Sequence, residues 1–237
     1  MTDHRTPATH QRAPATHQHT RTTDQRTLAA VTGALYLVTF ATSIPALALK
    51  APFLGGGGSL AAAQTAAVLE IMLAVACAGT AVAFYPIGRR YAPALALGFV
   101  ASRITEAALV AVGVIALLAF TTVRAGLDAD APLPSTLDAL AALHDGAFLV
   151  GPGLLPALNA ALFGTLLIRH RLVPRIIPAA GLIGAPLLTF SALATIGGLV
   201  DQVSPVAGVL ALPIALWEFA IGIWLLAKGV HVAPVDG

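Results

Sequence analysis

Glu70, Arg103, Glu106, His144, Asp145 and Glu218 are ionisable side chains set inside long runs of Ala, Leu, Val, Ile and Gly, and Asn159 adds a neutral polar group to the same company. Carboxylates, a guanidinium and an imidazole are the groups that relay protons, hold cations or pair with one another. At the centre of a bilayer such a charge costs roughly 2.5–3.5 kcal/mol on insertion scales, so it persists where it faces protein or water and finds a partner. Arg103 and Glu106 lie three positions apart, on one helix face, and are expected to pair. His144 and Asp145 are neighbours and diverge by about 100° around a helix, so no pairing between them is expected. Arg103, Glu106 and Glu218 fall near the middle of their runs, whereas Glu70, His144 and Asp145 fall nearer one end. Small residues share the acidic faces: Ala211, Ala215 and Gly222 with Glu218, and Ala67, Ala74 and Cys77 with Glu70. Close helix approach over small residues points the acids into a bundle.

Charge counting sharpens the expectation. Glu70, Glu106, Asp145 and Glu218 stand against Arg103, with His144 able to add one positive charge. A surplus of carboxylates is not tolerated in low dielectric, so protonation, a bound cation or a cationic ligand must complete the set. The residues are therefore candidates for ligand, proton or cation binding, with Asn159 supporting them. The competing reading is architectural, because buried pairs also fix helix register and partner choice. No catalytic residue is assigned. Neither an HExxH nor a GxSxG pattern occurs, which leaves a carboxylate with His144 as the weaker, hydrolase reading. Cys77 is the single cysteine, so an intrachain disulfide is excluded, and its apolar setting suits a small hydrophobe. His4, His10, His17 and His19 could chelate a metal weakly, but a solvated low-complexity tail accounts for them. The metal question stays open, and no cofactor is evident.

The elements that must position these groups are membrane spans. Hydrophobic residues make up 57% of the 237, charged residues 10%, and mean hydropathy is +0.85. Soluble domains carry about 25% charged residues, so lipid is the solvent this composition fits. The net charge of +2 is scattered in short arginine caps rather than gathered on a face, which excludes nucleic acid as the expected partner. At about 20 residues per crossing, spans are predicted near 28–49, 64–87, 93–120, 137–168, 174–200 and 206–227. Ser135 with Asp138 reads as a helix N-cap pair, and Gly151-Pro152-Gly153 with Pro156 breaks the fourth span. Interrupted spans can free backbone groups for a site.

Residues 1–27 are rich in Thr, His, Gln and Arg and read as a disordered basic arm, and 230–237 as a short tail. Arg5, Arg12, Arg21, Arg26, Arg89, Arg90, Arg169, Arg171, Arg175 and Lys228 share one side of this topology; Lys50 and Arg124 fall on the other, with Asp128, Asp130, Asp138 and Asp201. The positive-inside rule then puts both termini in the cytoplasm, as an even number of spans requires. The fold class is an all-α, polytopic six-helix transmembrane bundle. Its tight Ala and Gly faces also suit a homo-oligomer or another membrane protein as partner.

Gly33-Ala34-Leu35-Tyr36-Leu37-Val38-Thr39-Phe40, Ser102-Arg103-Ile104-Thr105-Glu106, His144-Asp145, Gly151-Pro152-Gly153, Leu172-Val173-Pro174-Arg175 and Trp217-Glu218 together resemble the bacterial family catalogued as domain of unknown function 4386, over roughly residues 27–229. The resemblance implies a multipass protein of the bacterial inner membrane and carries no activity with it. Function is expected to be small-solute or proton- or cation-linked transport or ligand binding; the alternative is a non-catalytic subunit or sensor whose charges specify assembly.

Overall fold

A computed structural model describes residues 15–127 and 134–231, with side chains from Asp24 onward. The N-terminal part of the expected arm (1–14), most of the Asp130–Pro134 breaker and the end of the tail (232–237) lie outside the described residues. Among those described, the chain is all helical: α1 (Ala15–Leu54), α2 (Leu60–Gly88), α3 (Pro93–Ala125), α4 (Ser135–Val150), α5 (Leu155–Asn159), a π-helical turn at Ala160–Gly164, α6 (Thr165–Arg169), α7 (Ile176–Ile196) and α8 (Pro205–Ala227). Six segments are long and apolar enough to cross a membrane: α1 from Asp24, α2, α3, α4 through α6 taken together, α7 and α8. In hydrocarbon every backbone amide needs a partner within its own segment, and helices meet that need.

Two details depart from the expected elements. α1 begins at Ala15 rather than near 28, because a nucleated span propagates cheaply backward through its preceding turns. Ser135 is the first residue of α4 and not its cap; Pro134 occupies the cap position and makes no side-chain bond. Real caps stand elsewhere, where Ser59 accepts from the Ala62 amide and Ser204 from the Ala207 amide. The fourth span breaks where the Gly-Pro-Gly run predicts, between Val150 and Leu155.

Outward faces carry Ile71, Val75, Ile115, Ile183, Phe190 and Val209, all exposed and suited to lipid. Inside, one core gathers on Phe163, whose ring stacks on Phe99 at 4.5 Å and meets Phe84 edge-on at 4.6 Å, with Tyr36 and Trp217 around it. A second core joins Phe53, Leu73, Val114, Leu117, Phe120 and Leu137 among α1 to α4. Close approach is built with glycine. A Cβ on Gly33 would overlap the Gly222 carbonyl and the Leu226 amide of α8, and one on Gly184 would lie 2.9 Å from the Ile214 amide. α4 packs mainly on α3, which leaves a crevice between α4 and the facing part of α1.

Both chain ends of the bundle meet at one face. The Arg26 guanidinium donates to the Ala227 carbonyl at 2.7 Å and the Leu225 carbonyl at 3.3 Å, capping the last turn of α8. The His231 amide donates to the Leu172 carbonyl at 2.8 Å and ties the chain end to the α6–α7 turn. At the far face Arg124 donates to the Gly56 and Phe53 carbonyls and closes the α1–α2 turn.

Candidate functional site

The predicted residues assemble into two ionic groups, one above the other along the bundle. The deeper one is centred on Arg103, which is 1% exposed. Its Nη1 donates to Glu106 Oε2 at 2.8 Å, within one helix face as the spacing predicts. Its Nε donates to the Thr80 hydroxyl at 3.1 Å, and the guanidinium lies 4.8 Å from the centre of the Tyr36 ring. Asn159 Nδ2 donates to the same Glu106 oxygen at 2.7 Å, so α5 is fastened to α3. The π-helical turn begins immediately after Asn159, and such bulges commonly mark functional positions in helices. Glu218, from α8, brings Oε1 to 3.6 Å of Arg103 Nη1, an ionic contact without a hydrogen bond. Arg103 Nη2 also lacks a hydrogen-bond partner.

The second group lies toward the α1–α2 turn and contains a residue the sequence placed elsewhere. Lys50, assigned to the far surface by topology, is 2% exposed and donates to Glu70 Oε1. Its Nζ is also 3.2 Å from His144 Nε2 and 4.2 Å from the centre of the Phe148 ring. His144 Nε2 lies 3.7 Å from Glu70 Oε1. The expected divergence of His144 and Asp145 is corrected, since Nδ1 and Oδ1 are 3.3 Å apart. Their backbones do diverge, but the Asp145 side chain swings back along the helix surface to the imidazole edge. It remains 61% exposed, so Asp145 belongs to the mouth of the crevice and not to the bundle interior. Gln202 donates to the Asp145 carbonyl at 3.2 Å and brings the α7–α8 turn over that mouth.

Lys50 changes the charge count. Lys50 with Glu70 forms a matched pair, and His144 completes that group. The deeper group keeps one guanidinium against two carboxylates, Glu106 and Glu218. The surplus is therefore local to Glu218, whose counter-charge is shared and distant.

Each group borders a cavity. The inner cavity, of about 280 Å³, is lined by Arg103, Glu106, Glu218 and Cys77 together with apolar walls from Phe40, Ile214 and others. The outer one, of about 470 Å³, is lined by Lys50, His144, Asp145, Asp201 and Gln202. Leu47 and Phe148 line both. Pro152 and Pro156, from the broken part of the fourth span, also line the inner cavity, so the break shapes the chamber. Among the described residues, no three His, Cys, Asp or Glu side chains converge in a way that could hold a metal ion.

Sequence reasoning missed Lys50, Tyr36, Thr80 and Phe148. Lys50 had a signal: the four-glycine turn makes a hairpin of the first two spans, and the acid of one faces the cation of the other. Tyr36, Thr80 and Phe148 had none beyond their place in an apolar run. A family model described as a domain of unknown function, 4386, matches residues 31–229. No curated protein and no solved structure matches the chain.

Proposed function

The chain belongs to the family of domain of unknown function 4386, and we propose that it is a solute-binding membrane protein that takes a small molecule into the inner cavity and exchanges it with the outer one past Phe148. The observation that carries this reading is the pair of charged cavities with Leu47 and Phe148 as their common wall. Small-molecule sites are concave, largely apolar and furnished with a few convergent polar groups, usually at roughly 300–1,000 Å³, and the inner cavity, at about 280 Å³, falls just below that range. Its ionisable groups lie at membrane depth, where ionisable side chains mark solute pathways and proton relays. The membrane in this reading is the bacterial inner membrane with both termini cytoplasmic, supported by the arginines that gather at the face where Arg26 meets Ala227.

Cys77 offers a test without engineering a reporter, because it is the only cysteine and lines the inner cavity. Purified protein in nanodiscs is treated with two membrane-impermeant methanethiosulfonates, one cationic and one anionic, and the adduct is followed by intact mass. At least one reagent modifies Cys77 in the folded protein, and Phe148→Ala speeds that reaction about tenfold or more by removing the shared ring. If Cys77 stays unmodified in both proteins yet reacts after unfolding, the exchange reading fails and the charges revert to an architectural role.

A further inference from the structure

The solute-binding reading leaves the solute open; the geometry of the inner cavity narrows it. We propose that the cavity takes a small organic monocation, an ammonium carried on an apolar body, with the charge received by Glu218. This inference rests on the solute-binding reading and adds the ligand's chemical class.

Three observations lead there. Arg103 is engaged on three sides, Nη1 with Glu106, Nε with Thr80 and its face with Tyr36, and Nη2 is its one nitrogen without a hydrogen-bond partner. Glu106 is likewise held by Arg103 and Asn159 through Oε2. Glu218 Oε1 accepts no hydrogen bond and meets Arg103 Nη1 at 3.6 Å without one, and Glu218 lines the cavity. With both acids ionised, one guanidinium against two carboxylates leaves a single negative charge among apolar walls, and a ligand of charge +1 balances it. A divalent metal ion would overshoot that balance and would find too few ligands within reach. The remaining walls select the body of the ligand. Phe40, Phe148, Leu73, Leu188 and Ile214 offer an apolar surround with aromatic faces, against which an ammonium and its carbon substituents are both at home. The outer cavity presents Asp145 and Asp201 at its mouth, so a cation meets acidic groups before it meets Lys50.

The experiment reads charge preference at Cys77 and keeps the two readings apart. The rates of the cationic (trimethylammonioethyl) and anionic (sulfonatoethyl) methanethiosulfonates are each divided by their rates with free mercaptoethanol. A net charge of one sign within apolar walls raises the local concentration of the opposite ion by roughly tenfold or more, so the surplus carboxylate makes the corrected ratio favour the cation by about that factor. Glu218→Gln brings the ratio toward one, and Glu218→Asp, which keeps the charge, restores most of it. Benzylammonium slows the modification in wild type, and benzyl alcohol of nearly the same shape does not. Size exclusion and a thermal melt confirm that each variant is folded. If both reagents reach Cys77 with equal or anion-favouring rates, or if Glu218→Gln leaves the cation preference intact, the monocation proposal is overturned while solute binding stands. Protection by benzyl alcohol equal to that by benzylammonium has the same consequence. If neither reagent reaches Cys77 even in Phe148→Ala, the solute-binding reading itself has failed.

Discussion

Lys50 and Glu70 are each nearly sealed from solvent, and each is the other's principal counter-charge. Desolvating two ions is expensive, so a buried pair adds little net stability over two apolar residues of the same shape, yet stranding one member is severe. Lys50→Met leaves Glu70 with His144 alone and is expected to cost about 3–5 kcal/mol, as is Glu70→Met through the stranded ammonium. The double variant returns close to wild type. Chemical unfolding in mild detergent, run as a double-mutant cycle, checks this, and simple additivity of the two single losses would contradict it. At this scale the sequence was partly legible. Glu70, Arg103, Glu106, His144 and Glu218 announce themselves because lipid forbids lone charges. Lys50 hid because a lysine near a span's end is expected to snorkel to the surface; only the continuation of α1 to Leu54 shows that it sits more than a turn inside. Tyr36 and Thr80 hid because their types are ordinary in apolar helices.

Between elements, two kinds of fastening divide the labour. Polar bonds join α1 to α2 and α4 in the outer group, and α2, α3 and α5 in the deeper one. Within the bundle bare backbone contact joins α1 to α8, where Gly33 faces Gly222 with no room for a side chain on Gly33, and the Arg26 bonds hold the same two helices at the end of α8. Because the atoms a new methyl would meet there are backbone, neither helix can yield by turning a rotamer. Gly33→Ala should therefore lower stability by about 1–3 kcal/mol, as overpacking does, and an unchanged melting temperature would show that α1 and α8 are free to separate. The same substitution at Gly146, where a Cβ meets nothing within 4 Å, serves as the control and should leave the melt within experimental error. The break in the fourth span was readable from Gly151-Pro152-Gly153, since proline removes a donor and glycine loosens the flanking turns. The π-helical turn that follows was not, because Ala160 to Gly164 carry no residue that marks an extra carbonyl in the ladder.

For the molecule as a whole, hydropathy alone anticipated the six helices that are long and apolar enough to cross a membrane among the described residues, since the bilayer sets helix length more strictly than any packing rule. The cavities were not legible. The outer one arises from how α4 stands off from α1, the inner one from side chains of several helices, and a sequence records the groups that line a space without recording the space. Orientation is the remaining whole-molecule property, and the proposed one rests on where the cations lie. Arg89, Arg90, Arg169, Arg171, Arg175 and Lys228 belong to helix ends and turns on the face where Arg26, from within α1, caps α8. Of the two cations assigned to the opposite side, Lys50 is buried against Glu70, and Arg124 is bound to the Phe53 and Gly56 carbonyls. Neither is a free loop charge of the kind that competes for retention at the cytoplasmic surface, so the asymmetry is larger than the raw count suggests. A green fluorescent protein fused after Gly237 should therefore fluoresce in bacterial cells, and alkaline phosphatase fused at Gly57 should be active. Replacing Arg89, Arg90, Arg169, Arg171 and Arg175 with Gln, while placing lysines in the Gly55–Ser59 turn, should shift a measurable share of molecules toward the opposite pattern. If the unaltered chain already gives a dark C-terminal reporter and an inactive Gly57 fusion, the cation distribution does not set its orientation, and the outer cavity opens to the cytoplasm instead.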